Sequence, residues 1–250
     1  MSKPRLYNTE AVVIKKSDLG EADSLVTLYT PYLGKIRAVA KGARRPKSRI
    51  GGHIEPPSHT QMLLARTRSL DIISQCQTVD GFVALRDDLR RTSSAIYVIE
   101  LLDRFTAEAE QDSALFRLIV DTLHRLCWTS NQQTVLRHYE LHLLGHLGYR
   151  PQLERCLVCQ SLVEPGPNYF AASGGVVCPR CTDQEAAPYP LSLNALKVLR
   201  FLQRSDGSAL DCLKVPPKLS RELETIMRRY IRYLSDKEVR SAGWLDSVTR

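Results

Sequence analysis

Through residues 9–79 the apolar positions come in short alternating runs rich in Val, Ile, Leu, Thr and Tyr. The runs are TEAVVIKKS (9–17), DSLVTLYT (23–30), GKIRAVAKG (34–42), an alternating stretch at 59–65, and SLDIISQCQTV (69–79). Turn formers separate them: Asp18-Leu19-Gly20, then Pro31-Tyr32-Leu33-Gly34, then a basic loop, then Arg66-Thr67-Arg68. This spacing predicts five short strands. Most of the gaps are too short for a helix, so a small barrel fits better than a parallel sheet. Five strands match the OB-fold, a barrel often used to bind oligonucleotides.

From about residue 82 the period lengthens. Leu85, Leu89, Ile96, Ile99, Leu102 and Phe105 recur at helical steps. So do Leu115, Leu118, Ile119, Leu123 and Leu126, then Leu136, Leu143, Leu144 and Leu147. Three amphipathic helices with short connections follow, with Gly148 as a C-terminal cap and Pro151 beyond it. Periodicity is lost at 151–190 and returns after it. Ser192 precedes LNALKVLRFLQR and Ser220 precedes RELETIMRRYIRYL, each placed as an N-cap. The expected fold class is α+β: a five-stranded OB-fold barrel at 1–80, then an α-helical bundle domain at 81–250 with a four-cysteine zinc ribbon inserted at 152–189.

Charge sharpens this picture. The chain carries +8 overall, and its 43% hydrophobic content suits a core-forming protein. The excess is uneven: residues 1–80 hold 13 Lys and Arg against 7 Asp and Glu, and 191–250 hold 12 against 7. Residues 81–155 hold 9 against 10. Between Ser24 and Ile54 there is no acid at all, while Lys35, Arg37, Lys41, Arg44, Arg45, Lys47 and Arg49 fall inside that window. In the third strand a period of two turns Ile36, Ala38 and Ala40 inward and Lys35, Arg37 and Lys41 outward. These seven cations, with Arg66 and Arg68 in a neighbouring turn, form a candidate phosphate-binding surface. Tyr29 and Tyr32 are candidates to stack a base.

Four of the seven cysteines form two pairs, Cys156-x2-Cys159 and Cys178-x2-Cys181. Two such turns can complete a tetrahedral four-thiolate shell, so one structural zinc per chain is expected, with no open coordination position. Cys76, Cys127 and Cys212 read as small buried hydrophobes. His138, His142 and His146 share one helix face, but HExxH is absent and a polar face fits better than a metal site. No GxxxxGK[ST], GxSxG or strand-linked GxGxxG motif is present, which argues against an enzyme. Asp87-Asp88 and the group Glu108, Glu110 and Asp112 sit at predicted helix ends, where acids offset the helix dipole. In MRRYIRYLSDKEVR, arginines interleave with Tyr230 and Tyr233, either to hold nucleic acid or as the outer face of a helix. No apolar run reaches membrane-spanning length, and the N-terminal residues lack a signal-peptide pattern, so a cytoplasmic protein is expected.

The order of these elements, with EAVVIKKSDLGEADSLVTLYTPYLGKIRAVAKGARRPKS, YELHLLGHLGYRPQLERC and the CxxC pairs, resembles the bacterial RecO family over nearly the whole chain. That resemblance implies a recombination mediator of the RecF-type pathway, associated with the nucleoid. Such proteins bind single- and double-stranded DNA, anneal complementary strands, and engage RecR and the single-strand-binding protein SSB. They help load RecA. The resemblance also implies that the helical domain binds the acidic C-terminal tail of SSB, with Arg125 or Arg137 pairing its carboxylates. The alternatives are a metal-dependent nuclease using the histidine face or an acidic cluster, and an RNA-binding zinc-ribbon factor.

Overall fold

The computed structural model describes residues 6–185, 187–235, 239, 241–243 and 245. The described residues form two compact units, 6–128 with Gly243 and Leu245 in the first and those within Thr129–Ala242 in the second. In the first, β1 (Leu6–Leu19), β2 (Asp23–Thr30), β3 (Gly34–Ala40), β4 (Ser58–Ala65) and β5 (Asp71–Asp80) close into a barrel of order β1-β2-β3-β5-β4. All ladders are antiparallel except β3 with β5. The first half of β1 pairs with β4 and the second with β2, the register shifting between Val13 and Lys15. Inward positions alternate as expected: Ala11, Val13, Val26, Leu28, Ala38, Ala40, Met62 and Leu64 form one core. Leaving water stabilises the larger of these by about 1.5–3 kcal/mol each.

The outward face of β1 and β2 is buried as well. Val12, Ile14, Thr27 and Tyr29 are covered, and α1 (Leu89–Phe105) packs on β1 while α2 (Ser113–Trp128) packs on β2. The uninterrupted AVVI run of β1 is the sequence signature of burial on both faces. Asp88 caps α1 by accepting from the Arg90 and Arg91 N–H groups, and Asp112 caps α2 by accepting from Ala114 and Leu115. Of the acids read from sequence as helix-end residues, Asp88 and Asp112 are therefore capping groups and Glu108 is an ion-pair partner of Arg37. Between the helices, the 106–112 segment lies against the start of β3. The Ala109 N–H donates to the Lys35 carbonyl at 3.0 Å, and Glu108 bridges to Lys35 in parallel. Gly34, at φ +64°, permits this approach, since a Cβ there would lie 2.0 Å from the Glu110 carbonyl oxygen.

The second unit contains α3 (Gln132–His146), a three-stranded sheet, α4 (Leu193–Arg204) and α5 (Pro217–Ser235). The sheet has the order β7-β6-β8, with β6 at Asn168–Ala171, β7 at Gly175–Val177 and β8 at Tyr189–Leu191. Gly148, at φ +81°, ends α3 as expected: Tyr149 N–H donates to the Leu144 carbonyl and Gly148 N–H to Gly145. Ser192 caps α4 through the Ala195 N–H. The Ser220 cap is corrected, because α5 begins one turn earlier at Pro217, whose fixed φ suits the first helical turn. Met227, Tyr230 and Ile231 are buried, whereas Arg229, Arg232 and Tyr233 are exposed. Asp236, Lys237, Glu238 and Arg240 of MRRYIRYLSDKEVR lie outside the described residues.

The histidine face has a structural use that the sequence did not reveal. His142 Nε2 sits 3.0 Å from the Leu202 carbonyl and His138 Nε2 sits 3.2 Å from that of Ser205, with the two rings 4.1 Å apart. These imidazoles satisfy carbonyls at the C-terminal end of α4, which lack intrahelical donors. Cys212 is exposed, correcting its reading as a buried hydrophobe; Cys127 is buried and Cys76 half-buried.

Two stability outcomes follow. Gly34→Ala should lower the thermal midpoint of the barrel unit far more than Gly20→Ala. Both glycines have positive φ, but only Gly34 faces backbone where a Cβ would go. Gly20→Ala should cost about 1–2 kcal/mol for its left-handed backbone alone, and equal losses would contradict the close approach. Burial lowers the His142 pKa, against the pull of the Leu202 carbonyl. A depressed folded-state pKa gives stability that is present above the unfolded value of about 6.5 and lost as pH falls below it. Chemical denaturation from pH 7.5 to 5 should show that loss, reduced in His142→Gln.

Candidate nucleic-acid interface and metal centre

The basic loop after β3 is folded onto the barrel end. Gly42 N–H donates to Asp23 Oδ1 at 2.7 Å, Arg44 N–H to the Ala22 carbonyl, and Ser48 N–H to that of Arg45. Ser48 Oγ accepts from Ile50 and Gly51. Ala43 and Ile54 are buried in the barrel core and Ile50 packs against it. With its apolar residues anchored, the loop holds Lys41, Arg44, Arg45, Lys47 and Arg49 in solvent. Arg44 is partly neutralised by Asp18 at 3.1 Å and also donates to the Gly20 carbonyl. Among the described residues, Lys41, Arg45, Lys47 and Arg49 have no ion-pair partner.

The parallel pairing of β3 with β5 brings the second basic turn beside β3. Ala38 lies opposite Asp71, so the 66–70 turn leads into β5 next to the second half of β3, while the basic loop continues beyond its exit. Arg66 and Arg68 are both exposed there; the Arg66 guanidinium lies 5.1 Å from the Tyr7 ring centroid. Tyr7 donates a short hydrogen bond to Asp71. Asp23 and Tyr7 are organising residues that sequence reading missed. Asp23 had left a trace, standing immediately before the acid-free window.

The other end of β3 departs from expectation. Lys35 points outward but is buried at 9% exposure, donating to the Asp103 carbonyl at 2.6 Å and pairing with Asp103 Oδ1 at 3.2 Å. Arg37 is exposed but pairs with Glu108 at 2.9 Å. The reading of one continuous cationic face along β3 is therefore corrected: the 103–110 segment covers and neutralises its first half. Tyr29 is buried and its pKa raised by that burial, whereas Tyr32 is 71% exposed. Arg137 is 2% exposed and pairs with Glu140 at 2.6 Å, so it is not the surface arginine expected. Arg125 is half-buried and engaged within the chain.

Cys156, Cys159, Cys178 and Cys181 place their sulfurs within 4.8 Å of one another, the only such His/Cys/Asp/Glu group among the described residues. Two tight turns build the site. Gln160 N–H donates to the Cys156 carbonyl in the first, and Cys181 N–H to the Cys178 carbonyl in the second. Gln160 is left-handed at φ +58°. Cys159 and Cys178 sulfurs are 3.8 Å apart, matching the edge of about 3.8 Å implied by tetrahedral Zn–S bonds of about 2.3 Å. Hydrogen bonds from Ser161 lower Cys159 to about 6. Burial opposes the Cys156 thiolate, but backbone N–H groups of Cys178, Cys159 and Val158 bring its pKa down. Burial and the neighbouring thiols push Cys181 up to about 12. The four-thiolate donor set fits zinc.

Arg200 donates to the Leu153 carbonyl and Arg204 pairs with Glu154, tying α4 to the segment that enters this site. Cys156→Ser or Cys178→Ser should remove the single metal from purified protein, by elemental analysis, and lower its melting temperature. Zinc binding should release protons and tighten as pH rises, because the thiols must ionise. Retention of metal by both variants would refute the site.

Two family models match the chain, Recombination protein O N terminal over residues 1–82 and Recombination protein O C terminal over 86–242. A DNA repair protein RecO from Roseiflexus sp. (strain RS-1) is 41% identical over 247 residues, 98% of this chain and 87% of the relative. One from Dehalococcoides mccartyi (strain ATCC BAA-2266 / KCTC 15142 / 195) is 36% identical over 251 residues, 100% of this chain and 99% of the relative. Another, from Desulforamulus reducens, is 36% identical over 245 residues, 98% of this chain and 95% of the relative. With both models matched and identities of this level over nearly its full length, the chain belongs to the recombination protein O (RecO) family.

Proposed function

We propose that this chain is a DNA repair and recombination mediator that binds DNA through the basic loop after β3 and the basic turn before β5 and promotes strand annealing without catalysing a reaction. The observation that carries this reading is the cluster Lys41, Arg45, Lys47, Arg49 and Arg68, exposed and without ion-pair partners among the described residues. Arg44, paired with Asp18, lies in the same loop as the first four, and Arg66 lies with Arg68 in the turn that leads into β5 beside β3. Cations held this way neutralise phosphates and release counterions, giving affinity that is steep in salt and nearly indifferent to sequence. Screening the repulsion between two strands favours their pairing and requires no nucleotide hydrolysis.

Lys35 and Arg37 drop out of the DNA-contacting set, because their charges are already spent on Asp103 and Glu108. Family membership supports the wider setting: double- as well as single-stranded DNA, a cytoplasmic site of action, partnership with RecR and the SSB tail, and assistance in loading RecA. The zinc-bound ribbon stabilises the second unit in this reading.

Arg45→Glu/Lys47→Glu should weaken single-strand binding at least tenfold and lower the salt slope by about 1.4, at roughly 0.7 per phosphate contact. Arg37→Ala should leave both nearly unchanged. Wild-type protein should accelerate pairing of SSB-coated complementary strands without ATP, and the loop variant should not. No acceleration, or Mg²⁺-dependent strand cleavage, would sink the proposal.

A further inference from the structure

In the second unit, an open groove of about 730 Å³ runs between the sheet and the start of α5. Tyr169 and Tyr189 line it beside Pro190, and Lys218 and Arg221 stand on its α5 wall. One turn beyond Thr225, Arg229 continues the same helix face, its guanidinium 4.6 Å from the Tyr189 ring centroid. Lys218, Arg221 and Arg229 are all exposed and have no carboxylate partner among the described residues. Glu222 also lines the groove, but both its oxygens are occupied by Ser192, at 2.7 Å from the N–H and 2.9 Å from the hydroxyl.

We infer that this groove is a second binding site for single-stranded DNA. The inference takes from the barrel-loop reading only the identity of the polyanion. Residues 218 to 229 span about 16 Å of helix, so the three cations form a row longer than one carboxylate or phosphate would need. A row of cations flanked by aromatic faces suits a chain of phosphates whose bases are free to stack. Duplex DNA keeps its bases paired and would leave the tyrosines idle. An acidic peptide would use the cations alone. Two single-strand sites on one chain would let it hold two complementary strands at once, which adds proximity to the charge screening that favours their pairing.

Native mass spectrometry of the full chain with short oligothymidine tests this. Wild-type protein should bind two copies. Lys218→Ala/Arg221→Ala/Arg229→Ala, all surface changes, should bind one, and Tyr189→Leu should weaken the second binding event about tenfold. Arg45→Glu/Lys47→Glu should also bind one, and its pairing with the α5 variant should abolish binding. Two copies retained by the α5 variant would overturn the groove site, as would a single copy on wild-type protein that only the loop variant loses. Both of those outcomes leave the barrel-loop reading intact. Loss in the α5 variant with none in the loop variant would instead overturn the barrel reading and keep the groove. Capture of oligoglutamate through these residues, with no effect of the α5 variant on oligothymidine, would also overturn the inference.

Discussion

The first unit depends on one close approach, the seating of the 103–110 segment against the β2–β3 hairpin. Gly34 has no Cβ where the Glu110 backbone passes. Lys35 gives its charge to Asp103 and Arg37 to Glu108. A buried ammonium is tolerable only with such partners, so the salt bridge and the covering segment require one another. The contact connects α1 to α2 at the barrel surface, where both helices cover β1 and β2. It also divides the basic surface. Cations at the start of β3 serve the fold, while those beyond Ala40 remain available to a ligand.

Much of this was legible in the sequence because its elements have clean periods and clear punctuation. Five alternating runs with turn residues between them specified the barrel, and Gly148 and Ser192 marked helix ends where the structure places them. The paired cysteines fixed the metal-ligand cluster, since two short turns can hardly present their thiols otherwise. Pairing across long sequence separation was less visible. Nothing local to Lys35 announces Asp103, which lies 68 residues away. Nothing around His138 and His142 reveals that they serve carbonyls of α4. Arg137 looked like a surface charge because its Glu140 partner, three residues on, is as consistent with an exposed helix pair as with a buried one.

The second unit shows the same economy. Arg200 and Arg204 anchor the segment leading to the cysteines, and Tyr230 donates to the Tyr149 carbonyl while its ring lies over Gly174. Among its positive side chains, those facing inward are committed to structure. Along α5, Lys218, Arg221, Arg229 and Arg232 are exposed, and Arg229 lies over the Tyr189 ring.

The central claim is that β3's first cation is structural and those of the following loop contact DNA. Lysine-directed chemical labelling read by mass spectrometry tests it on one protein without substitutions. Lys35 should stay unreactive with or without single-stranded DNA, whereas Lys41 and Lys47 should label readily in the free chain and become protected when DNA binds. Labelling of Lys35 that DNA suppresses, or continued reactivity of Lys41 and Lys47 at saturating DNA, would contradict the account.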